Sequence, residues 1–129
     1  MKRLLKFASV GVVATLVHYS TAVVAVHLII TPPEIANVIG FMVAFMVSFI
    51  GHWRWTFRDR MARFRLALPA FAVVAVSMFF FNALFFHLLL RYTYIRFEFL
   101  LLFVQALVFL MTFSFSKYWA FANPMVIER

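Results

Sequence analysis

Charge is almost absent from four stretches of this chain: Ala8–Ile30, Ile35–Trp53, Leu66–Leu90 and Phe99–Ser116. Each is close to the ~20 residues that a helix needs to cross ~30 Å of hydrocarbon. With 67% of its residues hydrophobic, 12% charged and a mean hydropathy of +1.02, a soluble domain would have to carry apolar surface over most of its exterior. The expected architecture is an all-α membrane protein. Four transmembrane helices, at about 8–30, 35–55, 66–90 and 99–121, form an up-down-up-down bundle. Four crossings use nearly all of the 129 residues, so one four-helix domain over 1–129 is expected, with no soluble domain beside it.

The net charge of +8 is unevenly placed. Lys2, Arg3 and Lys6 precede the first run. Arg54, Arg58, Arg60, Arg63 and Arg65 lie between the second and third, and Lys117 and Arg129 follow the fourth. The other side has Arg91 and Arg96, offset in part by Glu34 and Glu98. The positive-inside rule then puts both termini and the middle connection in the cytoplasm. This segregation points to anionic lipid headgroups or phosphates rather than nucleic acid as what the basic rim meets. Met1–Phe7 is basic and precedes an apolar run, as in a signal peptide, but that run lacks a small-x-small cleavage site and is expected to remain as the first helix. The absence of cysteine excludes disulfides, thiolate metal sites and a cysteine nucleophile.

The connections are short: Thr31–Glu34, about Arg58–Arg65, and Arg91–Glu98. Pro32 and Pro33 in succession cannot continue a helix. A signature ends both the second and the fourth run. Ser48-Phe49 leads through Arg54 to Trp55-x-Phe57, and Thr112-Phe113 leads through Lys117 to Trp119-x-Phe121. An apolar run closed by a cation and an aromatic belt is how a helix leaves a bilayer. The two copies are 64 residues apart. At that offset Phe7, Ala8 and Val10 meet Phe71, Ala72 and Val74, Phe45 meets Phe109, and His18 meets Asn82. A duplicated helical hairpin is expected, its two copies parallel and related by an axis along the membrane normal.

Polar side chains within the spans cost roughly 2–3 kcal/mol each on insertion scales, so they usually face protein or a water-filled cavity. Ser48, His52 and Trp55 share one face of the second helix, and Gln105, Thr112, Ser116 and Trp119 share one face of the fourth. Gly11, Thr15, His18 and Ala22 form a small or polar stripe on the first helix, and Asn82 is the amide of the third. Small and polar residues are also ordinary glue between membrane helices. Trp53, Trp55, Phe57, Trp119 and Phe121 suit an interfacial belt, and Arg54 and Lys117 suit snorkelling as well as a phosphate. His27 and His87 fall near the outer ends. No phosphate-binding glycine loop, zinc spacing or nucleophile elbow occurs, and no acid lies mid-span. No enzyme active site, cofactor or metal is expected.

Taken in order, these motifs resemble the GtrA-like family of small four-helix membrane proteins. Phe7, Val10, Gly11 and Thr15 fit its opening pattern. Ala36, Gly40, Phe49, Arg54, Trp55 and Phe57 fit its first repeat end, and Arg63-Phe64 its second half. Gln105, Phe113, Lys117, Trp119 and Phe121 fit its close. The resemblance covers about residues 3–122. His18 stands where the family has an acid, and Ser48 and Thr112 stand where it has asparagines.

The resemblance implies a flippase that moves a polyprenyl-phosphate-linked sugar across a bacterial-type cytoplasmic membrane for cell-surface glycosylation. Such a carrier needs a phosphate site at its inner face, for which Arg54, Lys117, Arg58 and Lys6 are candidates. It needs a polar path for the sugar, for which His18, Ser48, His52, Asn82, Gln105, Thr112 and Ser116 are available. Four helices enclose little volume, so a parallel homodimer is expected. Two alternatives stand beside this: a non-transporting scaffold for a glycosyltransferase, and a small multidrug-type exporter, which would want a membrane-embedded carboxylate.

Overall fold

The structure is a computed structural model and describes residues 2–56, 61–115 and 118. Among these, four helices account for almost all of the chain, and none of the described residues is in a strand. They are α1 (Lys2–Leu28), α2 (Pro33–Gly51), α3 (Met61–Tyr92) and α4 (Phe97–Phe115). All four are long and apolar enough to span a bilayer. In hydrocarbon a helix satisfies its backbone within its own segment, which is why such runs take no other form.

Sequence and helix bounds differ at two places. α1 begins at Lys2 and α3 at Met61, well before the uncharged stretches do. Arg63 and Arg65 therefore sit on a helix rather than in a connection. Arginine, leucine, alanine and methionine are all good helix formers. Charge decides where a helix leaves the hydrocarbon, not where it ends. Pro69 lies inside α3 and does not end it. The opposite connections are as short as expected. Pro32 caps α2 with φ −54° and ψ 142°, and Pro33 occupies the first helical position, where its missing N–H is no loss.

α1 packs along α2 and α3 along α4, and contacts of α1 with α4 and of α2 with α3 close the bundle. Small residues bring α1 and α2 close. A Cβ on Gly40 would lie 2.5 Å from His18 Cδ2 and 2.8 Å from the His18 backbone oxygen. One on Gly51 would lie 2.8 Å from a Val10 methyl. Small-residue contacts of this kind are how membrane helices approach each other without a hydrophobic drive between them. α3 and α4 instead interlock aromatic rings, Phe85 against Phe103 and Phe86 edge-on to Phe97.

The hydrophobic core is a dry cluster of Ala22, Ala25, Ala36, Phe86, Leu100, Leu101 and Val104. It fills the end of the bundle bearing the 29–32 and 93–96 connections. At this end His27 on α1 meets Glu98 on α4 at 2.8 Å, and His87 on α3 comes within 3.5 Å of Glu34 on α2. Arg96 adds a contact of 3.6 Å to Glu98. Glu34 and Glu98 are 64 residues apart, and each reaches a histidine of the other hairpin.

A cavity lined by all four helices

Below the dry cluster lies a buried polar layer. His18 Nε2 stands 3.0 Å from Asn37 Oδ1 and 3.1 Å from the Asn37 backbone oxygen. Both neighbours are acceptors, so Nε2 carries the proton and donates to both. The amide of Asn37 in turn donates from Nδ2 to Asn82 Oδ1 at 2.7 Å. Three helices are thus joined by one amide. His18, Asn37 and Asn82 are all buried.

Asn37 is the member of this polar layer that sequence reasoning missed. It sits between the buried Ala36 and Gly40, where α2 closes against α1. The available signal was the amide itself, standing in an otherwise apolar span.

Beside this layer is a cavity of about 130 Å³. All four helices line it, and its wall runs from His18, Asn82 and Gln105 to Gly11, Ser48 and Thr112. His18 to Gly11 is two turns of helix, or about 10 Å along the axis. The cavity therefore extends from the polar layer toward the end of the bundle that carries Lys6, Trp53, Arg54 and Trp55. Gln105 is 3% exposed and Asn82 2%. The amide nitrogen of Asn82 and both amide atoms of Gln105 have no hydrogen-bond partner among protein groups. Thr15 also lines the cavity, with its hydroxyl donating to the Gly11 carbonyl at 2.8 Å.

The lining follows the 64-residue offset closely. His18 and Asn82 both face the cavity, as do Ser48 and Thr112. Gly11 and Ala75, Ala14 and Met78 are two further such couples. Phe41 and Gln105, Ala44 and Val108, Phe45 and Phe109 complete the set. Of the lining residues, Thr15 alone lacks its counterpart.

Of the expected path residues, His18, Ser48, Asn82, Gln105 and Thr112 are brought together here. His52 is set apart. α2 ends at Gly51, and His52–Thr56 form a π-helical turn. His52 itself still follows Ser48 by one regular α-turn, its N–H bonding the Ser48 carbonyl, but its ring lies against α1, stacked on Phe7 at 4.5 Å. Trp53 and Trp55 are exposed on the same turn. Lys6 Nζ lies 5.9 Å from the Trp55 ring centre, a cation–π approach that carries a basic residue of α1 to the exit of α2. Arg54 is exposed beside them. Arg58, Ser116, Lys117, Phe57, Trp119 and Phe121 lie outside the described residues. Among the described residues no cluster of metal-ligating side chains occurs.

The model of the GtrA/DPMS transmembrane domain matches residues 6–121. The chain belongs to the GtrA/DPMS transmembrane family. With its four apolar helices, this member is a multi-pass membrane protein. It is similar to a bactoprenol-linked glucose translocase of Shigella phage SfV, 34% identical over 68 residues, or 53% of this chain and 57% of that protein. It is also similar to a bactoprenol-linked glucose translocase of Shigella phage SfII, 36% identical over 58 residues, or 45% of this chain and 48% of that protein. The chain thus matches about half the length of each of these GtrA/DPMS relatives. No solved structure matches.

Proposed function

We propose that this chain translocates a polyprenyl-phosphate-linked sugar across a cytoplasmic membrane, in a transport step without catalysis, for glycosylation at the cell surface. The observation that carries this reading is the cavity lined by all four helices, with unpartnered amides in its wall. A buried amide without a partner costs about 1–3 kcal/mol, and a polar site kept inside a membrane bundle at that cost suits a polar passenger. The family and the names of the two phage relatives support the same reading.

The proposed arrangement is inward-facing. The cavity runs toward the basic end, while the dry cluster and the His–Glu contacts seal the other. Arg54 and Lys6, held at the Trp55 exit, would receive the phosphate, with Arg58 and Lys117 contributing from the same end. The sugar would enter between Ser48, Thr112 and the polar layer, and the polyprenyl chain would stay in lipid. Both termini inside, a parallel homodimer and a glycosyltransferase partner complete the proposal. The paired lining of the cavity supports a duplicated hairpin.

A cation exporter fits less well, because none of the lining residues is a carboxylate. Reconstitution separates transport from a scaffolding role. Pure protein in liposomes is expected to carry a polyprenyl phosphate hexose from one leaflet to the other, measured by enzymatic access to the sugar. A scaffold would leave the rate at that of empty liposomes.

A further inference from the structure

We propose that Gln105, together with the amide nitrogen of Asn82, is the specificity subsite for an uncharged sugar ring, so that the bundle centre reads the sugar while the phosphate stays at the basic rim. This rests on the lipid-linked sugar reading above.

The first support is the hydrogen-bond inventory. In the polar layer His18 donates to Asn37, and Asn37 donates to Asn82 Oδ1. That last bond fixes which way the Asn82 amide lies, and its nitrogen is the atom left over. Gln105 keeps both its donor and its acceptor. The residues are 98% and 97% buried and both line the cavity, with the unpartnered amide atoms sealed just behind its surface, so a ring meets them as the Gln105 side chain turns. Donors and an acceptor side by side match hydroxyls, each of which donates and accepts. A phosphate or a carboxylate has only acceptors and would leave Gln105 Oε1 unmatched. An ammonium group has only donors and would leave both amide nitrogens unmatched.

The second support is what the wall lacks. Among the described residues no Lys, Arg, Asp or Glu lines the cavity, and the one ionisable residue of that lining, His18, already spends Nε2 on Asn37. A net charge on the passenger would be buried without a partner, which is far more costly than a buried hydroxyl. Apart from the hydroxyls of Thr15, Ser48 and Thr112 the rest of the wall is apolar and includes the rings of Phe41, Phe45 and Phe109.

The third support is asymmetry. At the 64-residue offset Gln105 corresponds to Phe41, and Asn37 to Leu101. The buried amide atoms left without a partner therefore all lie on the α3–α4 side, while Asn37 on the α1–α2 side has its amide engaged by His18 and Asn82.

The test uses the full chain in nanodiscs and three probes: short-chain polyprenyl phosphate, its glucosyl derivative and its glucuronyl derivative. Wild type is expected to prefer the glucosyl lipid to the bare phosphate by about tenfold or more, equivalent to one or two net hydrogen bonds. The glucuronyl lipid is expected to show no such preference. Gln105→Leu and the more flexible Gln105→Met are expected to bring the glucosyl preference to about one. Their Tm without ligand is expected to equal or exceed that of wild type, because an unsatisfied buried amide has been removed. The proposal is overturned if either folded variant keeps the preference, or if Gln105→Leu mainly lowers Tm. It is also overturned if wild type binds glucosyl and bare lipid equally, as it would if the cavity held water only; the phosphate site and the broader reading then stand. Binding of neither lipid by wild type would sink the broader reading itself and the subsite with it.

Discussion

At the scale of single residues, Asn37 decides how the bundle centre is wired. It accepts from His18 and donates to Asn82, so Asn37→Leu strands the Asn82 amide oxygen and leaves His18 only the backbone carbonyl of position 37. Leaving buried groups unpaired costs about 1–3 kcal/mol, though bonds between membrane helices average nearer 0.6. We expect Asn37→Leu to lose about 1–2 kcal/mol in denaturant unfolding from detergent. We also expect the double variant with Asn82→Leu to lose less than the sum of the two singles, as partners in one network do. The phosphate site has its own residue-scale test. Arg54→Gln is expected to weaken binding of bare polyprenyl phosphate about tenfold or more, as loss of a charge-assisted contact does. Arg96→Gln at the opposite end should leave it nearly unchanged. Equal small losses at both would assign Arg54 to snorkelling. His18 was legible in the sequence as a histidine in need of a partner, but the partner was not. By helix rise alone His18 lies about 15 Å from the end of α1 and Asn37 about 6 Å from the start of α2. The 29–32 connection brings them level, and no periodicity along one helix carries that information.

At the scale of elements, the sequence shows where hydrocarbon begins more clearly than where a helix does. Pro32 and Pro33 set the start of α2, and the apolar runs give four helices. Nothing in the charge pattern reveals that α3 reaches back to Met61. The π-helical turn at His52–Thr56 was also out of reach, because a wider turn leaves no mark in the apolar period. His52 follows Ser48 by one regular turn as the period predicts, but its ring stacks on Phe7. Close approach of α1 and α2 makes a graded prediction. Gly40→Ala sets a methyl against the His18 backbone at 2.8 Å, which cannot yield without parting the helices. Gly11→Ala meets only the edge of the Phe109 ring at 2.9 Å, which can rotate. Overpacking typically costs about 1–3 kcal/mol. Gly40→Ala is expected at the upper part of that range and Gly11→Ala near its foot, measured by thermal unfolding with dye detection. Equal costs would mean that the two hairpin helices can separate freely.

At the scale of the whole molecule, the two ends of the bundle differ in kind. One is dry, tightly filled and crossed by His27–Glu98 and His87–Glu34. The other holds the cavity and the basic, aromatic rim. The family and the four-helix frame were legible because order, spacing and charge bias agree over nearly the whole chain. The paired wall of the cavity was foreshadowed only by His18 with Asn82, Phe45 with Phe109, and Ser48 with Thr112. The remaining couples join unlike residues, such as Phe41 with Gln105, which sequence comparison passes over. Because the chain has no cysteine, paired thiols can be placed without background. His27→Cys with Glu98→Cys, bridged by a short bifunctional maleimide, is expected to hold the dry end shut. Transport in liposomes should stop, while polyprenyl phosphate still binds from the basic side. Unimpaired transport in the bridged protein would show that this end does not open during the cycle.

The dry cluster also has an electrical consequence. A polar cavity that admits water extends the bulk phase inward to the level of His18. From there to His27 is nine residues, or about 14 Å of helix, against ~30 Å for the intact hydrocarbon layer. The transmembrane voltage would then fall mostly across that short plug rather than evenly across the bilayer. With the basic end inside, the ordinary inside-negative potential pushes a monoanionic headgroup outward across the plug, by about 2.3 kcal/mol per charge for each 100 mV. In liposomes with an imposed diffusion potential, outward movement of the phosphate-linked sugar should then be faster with the basic side negative than with it positive. A rate indifferent to the sign of the potential would show that the headgroup crosses with its charge neutralised.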